Sequence, residues 1–160
     1  MKVTKLILML ILGGFAAIPS WAQNKSSQDE IKKIAESKEY TIDVNIALPM
    51  RGRNIPLTSH YSLEIKKDSV ISQLPYFGRG YNIPYDGGEG LNFEAPIEEY
   101  TVKTDKKGNI QVEFSTRSQD DALDYRIKIF ENGSSTIDVS MQNRQSISFI
   151  GELNRNAEHK

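Results

Sequence analysis

The side chains able to do chemistry are few and poorly grouped. Histidine occurs twice, as His60 and His159, and cysteine not at all. A Ser-His-Asp relay would have to use His60, which sits in Ser59-His60-Tyr61 with no nucleophile-elbow glycines around any serine. Two histidines and no thiol leave no zinc ligand set, no thiol nucleophile and no disulfide scaffold. Carboxylates are plentiful. Asp86-Gly87-Gly88-Glu89 and Asp105-Lys106-Lys107-Gly108-Asn109 place oxygens near glycine, but neither follows the spacing of a calcium loop. Glu98-Glu99 is a carboxylate pair of the kind that hydrolyses glycosides. Neighbours on a strand point to opposite faces, so that pair is not expected to converge. Asp120, Asp121 and Asp124 read as a solvated acidic connection. The residues therefore name no catalytic group, no metal ligand and no cofactor.

Recognition chemistry is better represented. Pro75 to Phe93 holds Tyr76, Phe77, Tyr81, Tyr85 and Phe93, with Arg79 among them and glycines at 78, 80, 87, 88 and 90. Rigid aromatic faces beside a guanidinium are common in binding surfaces. Long segments without regular structure are commonly functional. The candidate ligand-binding residues are Tyr76, Phe77, Arg79, Tyr81 and Tyr85, with Arg144 as a possible member of the same patch. A competing reading makes the segment a plug for one end of a sheet. Tyr76 and Phe77 would then divide into one side chain in and one out.

These residues must be held by a β-rich frame. Lys2 and Lys5, the uncharged run Leu6–Ile18 and Ser20-Trp21-Ala22 form a secretory signal with a cleavage site after Ala22. The apolar run is short for a membrane span of about 20 residues, and a retained anchor is the alternative. Loss of residues 1–22 leaves 138 residues and moves the net charge from −1 to −3, since Lys2 and Lys5 go with them. The expected location is periplasmic or secreted. The charge gives no footprint for nucleic acid.

Residues 23–38 are polar and helix-prone. Ser27 and Glu30 are spaced as a capping box, and Ile31, Ile34 and Ala35 form a narrow apolar stripe, predicting a short helix over about 28–37. Residues 39–153 then change to a period of two. Alternation marks strands at Tyr40–Leu48, Tyr61–Ile65, Val70–Leu74, from Tyr100, and at Ile110–Phe114, Tyr125–Ile129, Ile137–Met141 and Ile147–Phe149. Asn132-Gly133 predicts a type I′ hairpin, and Asn143-Arg144 a further turn. Residues 154–160 are a polar tail. The predicted fold is α+β, mostly β: a single antiparallel seven- to eight-stranded curved sheet or open barrel with one short N-terminal helix. A carrier of the lipocalin kind would need a closed barrel with a hollow apolar lumen.

Two stretches are distinctive: Leu74-Pro75-Tyr76-Phe77-Gly78-Arg79-Gly80-Tyr81 and Asn143-Arg144-Gln145-Ser146-Ile147-Ser148-Phe149-Ile150-Gly151. With the signal, the helix, the Tyr40 strand, Pro49-Met50-Arg51-Gly52-Arg53 and the Tyr61 hairpin, the chain resembles a family of secreted bacterial proteins, domain of unknown function 4251. The resemblance runs from about Ala35 to Gly151. It implies an envelope location and an α+β or all-β domain, and it implies no activity and no site residue. The expectation is an exported, non-enzymatic binding or interaction module whose partner is a small ligand, a peptide or an envelope protein. A carboxylate-based hydrolase of envelope or dietary glycans, and a purely structural envelope component, are the alternatives.

Overall fold

The structure, a computed structural model, describes residues 21–81, 90–119 and 121–155. One helix, α1 (Trp21–Ser37), precedes eight strands: β1 (Glu39–Pro49), β2 (Ile55–Lys66), β3 (Ser69–Leu74), β4 (Leu91–Thr104), β5 (Ile110–Arg117), β6 (Ala122–Ile129), β7 (Ser134–Met141) and β8 (Ile147–Asn154). Each strand pairs antiparallel with the next, and β8 returns to β1, so the sheet is a closed barrel. Closure satisfies both edge strands, which would otherwise expose unpaired backbone groups.

Alternation decides what lies inside. On β5, Ile110, Val112, Phe114 and Thr116 are buried; on β6, Leu123, Tyr125, Ile127 and Ile129. Outward positions carry the polar residues, among them Glu113 with Arg126 at 2.9 Å and Lys103 at 3.7 Å. This is the inverse of a membrane barrel, whose outer face is apolar. Among the described residues no helix is long and apolar enough to cross a membrane. An eight-stranded barrel is wide enough either for side chains to fill or for one small ligand, and here the inward side chains make one packed cluster. Tyr125 of β6 reaches across to β3, where its hydroxyl lies 3.4 Å from that of Ser72. Side chains occupy the lumen, which removes the hollow-carrier reading.

The helix covers one end of the barrel. Ile31 and Ala35 are buried in the cluster and Ile34 packs against it, as the apolar stripe required. Tyr100 donates its hydroxyl to the Ala35 carbonyl at 2.7 Å, so at its 3.2 Å contact with Tyr40 it must accept. Burial pushes the pKa of Tyr100 up to about 12 and raises those of Tyr40 and Tyr125. The capping box does not form. The helix begins upstream of Ser27, and that hydroxyl instead donates to the Glu131 carbonyl in the β6–β7 turn at 2.9 Å.

Three local expectations are corrected. The Asn132-Gly133 turn is not type I′, because only Gly133 has positive φ, at 89°. Phe130 and Ser134 close a three-residue loop, with Gly133 N–H donating to the Phe130 carbonyl at 2.9 Å. The same pattern closes Asp105–Asn109 around Gly108. This is a type I turn with a left-handed glycine after it. Secondly, β4 starts at Leu91 rather than Tyr100, so Phe93 lies in a strand and the irregular segment is shorter than 75–93. A register shift between Glu98 and Thr101, with Glu99 at φ 54°, breaks the alternation there and obscures the strand in the sequence. Thirdly, β1 does not alternate throughout. Between Val44 and Ile46, β1 gains one residue relative to β8, so Ala47 is buried while Ile46 and Leu48 are only partly covered.

Gly151 pairs with Val44 beside that bulge. A Cβ at Gly151 would collide with the Asp43 carbonyl oxygen, so the glycine lets β8 approach β1 where the barrel bends. Gly151→Ala is expected to cost about 1–3 kcal/mol, the range for overpacking a tight core, measurable as a lower urea midpoint. Gly52→Ala, with open space around the added carbon, provides the comparison for a glycine limited only by its φ of 116°.

Candidate functional site

The end opposite the helix carries four connections: 50–54, 75–90, 118–121 and 142–146. The described part of the second, residues 75–81, lies against the fourth. Gly80 forms a β-bridge with Arg144. Tyr81 N–H donates to the Asn143 carbonyl at 2.7 Å, and Gln145 N–H donates to the Arg79 carbonyl at 3.0 Å. The Asn143-Arg144 segment is therefore a strand-like shelf for residues 79–81 and not a tight hairpin turn.

Tyr76 is the inward member of its pair. Its ring packs on the core cluster, and its hydroxyl lies 3.0 Å from the Gln145 carbonyl and 3.1 Å from that of Arg79. The ring folds back over Gly78, where a Cβ would strike the hydroxyl. Phe77 is 37% exposed and Tyr81 67% exposed, and Arg79 is exposed with them. One segment thus holds both a packed side chain, Tyr76, and exposed ones at Phe77, Arg79 and Tyr81. Tyr85 lies outside the described residues, as do Asp86 and Glu89.

Arg144 is held as an anchor. Its side chain is 7% exposed, its Nη1 donates to the Gly90 carbonyl at 2.9 Å, and its guanidinium lies 5.5 Å from the Tyr76 ring centroid. Its Nε is 3.7 Å from Asp121 Oδ2, and that carboxylate is 1% exposed. Asp121 Oδ1 accepts from the N–H groups of Gln142 and Asn143, each at 3.0 Å. The solvated reading of the acidic cluster fails at Asp121, which fastens 118–121 to 142–144. Asp124 is exposed, and Asp120 lies outside the described residues. Adjacency to Asp120 gave no sign of this, because the partners lie more than twenty residues away.

Beside this frame is a groove of about 510 Å³. Arg51, Arg53 and Ile55 supply one side, and Phe77, Arg79 and Gln145 the other. The sequence reading placed Arg51 and Arg53 in a loop without assigning them a role. Closure of the barrel sets β8, β1, β2 and β3 side by side, and so brings their connections together.

The carboxylates are arranged otherwise. Glu99, Glu113, Asp124 and Asp138 line a depression of about 420 Å³ on the outer wall. The hydrogen bond from Arg126, with a second from Gln111, holds Glu113 below the ordinary carboxyl range. A general acid needs the opposite displacement. His60 is an exposed side chain 3.8 Å from the Asp43 carboxylate, and His159 lies outside the described residues. Among the described residues no three His, Asp or Glu side chains gather as a metal site.

Comparison with known proteins gives a family and a fold. The family model described as a domain of unknown function (DUF4251) matches residues 22–153. A crystal structure of a DUF4251 family protein from Bacteroides eggerthii DSM 20697 is similar, with a TM-score of 0.62 at 17% identity, over 82% of this chain and 89% of that one. Among curated proteins, none matches this chain.

Proposed function

Since the chain belongs to the DUF4251 family, and that membership brings no activity with it, we propose from the site itself that the protein is an exported, non-enzymatic binding module. Recognition is assigned to the loop end of the barrel, by Phe77, Arg79 and Tyr81 on the 75–81 segment. The observation that supports it is the division of that segment. Tyr76 and the backbone of 79–81 are fixed to the barrel, while the three neighbouring side chains stand exposed on the fixed frame. A preorganised surface binds with less ordering cost than a mobile loop. Aromatic and arginine side chains are the residues on which binding energy concentrates.

The location rests on the basic start, apolar run and small residues of 1–22. Export is expected to yield a mature chain beginning at Gln23, read by N-terminal sequencing of the protein recovered from the cell envelope or medium. A chain retaining Met1 would refute it.

Binding is tested by thermal shift over oligosaccharides, peptides and organic anions. A ligand at 100 times its Kd stabilises the folded state by about 2.7 kcal/mol. Phe77→Ala and Arg79→Ala are expected to abolish that response and leave the unliganded midpoint within about 2 °C, as exposed substitutions do. Tyr76→Ala is expected to lower the midpoint itself, because it empties part of the plug.

A further inference from the structure

Charge and apolar exposure coincide at the loop end. Three guanidiniums, of Arg51, Arg53 and Arg79, line the one groove, and no described carboxylate lines it with them. Among the described residues none of the three takes part in an ion pair. Among the described residues the exposed large apolar side chains are Met50, Phe77 and Tyr81. Each lies on the same two connections as the arginines. On the outer wall, by contrast, Arg126 and Lys103 both meet the Glu113 carboxylate. A merely solubilising set of arginines has no reason to gather beside the exposed aromatics.

The chemistry of the groove selects its occupant. A guanidinium presents a planar fork of donors that fits carboxylate or phosphate oxygens. Three such forks exceed what one carboxylate can accept in charge or in oxygens. A phosphate monoester carries about −1.5 to −2 at neutral pH on three terminal oxygens. Phe77 and Ile55 supply an apolar surface beside the cations. The volume of about 510 Å³ lies within the ordinary range of small-ligand sites.

We propose that this groove binds a phosphate ester, with its phosphate among Arg51, Arg53 and Arg79 and its organic group against Phe77 and Ile55. This rests on the assignment of recognition to the loop end and adds the ligand class. The ester is a free phosphate monoester or a lipid whose headgroup is one, since both present the same group.

The test is calorimetric titration of the mature chain with phenyl phosphate, beside inorganic phosphate and benzoate. Sedimentation with phosphatidylcholine vesicles carrying phosphatidic acid, a lipid phosphate monoester, is the lipid arm. Phenyl phosphate is expected to bind about tenfold more tightly than either control, since it alone fills both halves of the groove. Arg51→Gln, Arg53→Gln and Arg79→Gln should each weaken it about tenfold, the size of one charge-assisted hydrogen bond. Phe77→Ala should erase the preference over inorganic phosphate, and Arg126→Gln on the outer wall should change nothing. Vesicle binding through the same arginines, without a response to phenyl phosphate, would support the phosphate and assign it to a lipid. Benzoate binding as tightly as phenyl phosphate would overturn the ligand class, as would binding indifferent to the arginines. A thermal-shift response that needs Phe77 and Arg79, together with silence toward phenyl phosphate and vesicles, would overturn the phosphate while leaving a binding module. Silence in every arm would overturn both.

Discussion

Asp121→Ala is expected to destabilise the fold by about 3–5 kcal/mol, the cost of removing one partner from a buried ion pair. The change removes the acceptor of the Asn143 N–H and one of the two acceptors of the Gln142 N–H, which keeps the Ala122 carbonyl at 3.2 Å. It also leaves the Arg144 guanidinium buried without its carboxylate. That cation lies under Tyr76 and holds the Gly90 carbonyl, so the loss spreads to the segment that carries the candidate site. Urea denaturation reads the effect as a lower midpoint with an unchanged slope. Asp124→Ala, exposed and three residues away, should fall within about 0.5 kcal/mol of the parent. The double variant Asp121→Ala/Arg144→Met should lose less than the two single losses combined, because the second change removes the stranded charge. An Asp121→Ala protein as stable as the parent would mean that the loop end is not held in the way described.

Raising the pH above 10 is expected to weaken the fold with a slope approaching about 4 kcal/mol per pH unit, about 1.4 from each of Tyr40, Tyr100 and Tyr125. Burial raises the pKa of all three hydroxyls, and Tyr125 spans the lumen to Ser72. In the unfolded chain a tyrosine ionises near pH 10. Below that pH both states hold these protons and the stability is fully present. Above it the unfolded chain binds fewer protons than the folded one, so unfolding becomes more favourable as pH rises toward the folded pKa values. Urea midpoints at pH 9, 10 and 11 measure the slope. Tyr125→Phe should reduce it by about a third, whatever the hydroxyl contributes at neutral pH. A flat profile would contradict a lumen crossed by protonated tyrosines.

Much of the barrel was legible because inside and outside differ in chemistry at a period of two. Val112 and Phe114 against Glu113, or Ile127 and Ile129 against Lys128, declare their faces without any tertiary information. The legible part ends where an extra residue enters a strand. The bulge at Asn45 depends on β8 and β2 together and leaves no mark in local alternation. Glu99 hides the first half of β4 in the same way. Closure was left open between a curved sheet and a barrel, since β1 and β8 are joined only by long-range pairing.

At the loop end composition picked out a segment and could not sort its members. Composition marked Tyr76, Phe77, Arg79 and Tyr81 alike. Only the bridge to residues 143–145 separates the buried member from the exposed ones. Arg144 was legible as a candidate and not as an anchor, because its carboxylate partner lies in another connection. Arg51 and Arg53 gain significance solely from the barrel order that sets their loop beside Phe77 and Arg79.

The most direct measurement is an amide correlation spectrum of the mature, isotopically labelled protein during titration with phenyl phosphate. The expected result is saturable shifts confined to residues 51–55, 77–81 and 145, with the amides of β5–β7 unmoved. Shifts centred on the outer wall around Glu113 and Asp138, or a spectrum that does not change, would contradict recognition at the loop end by this groove.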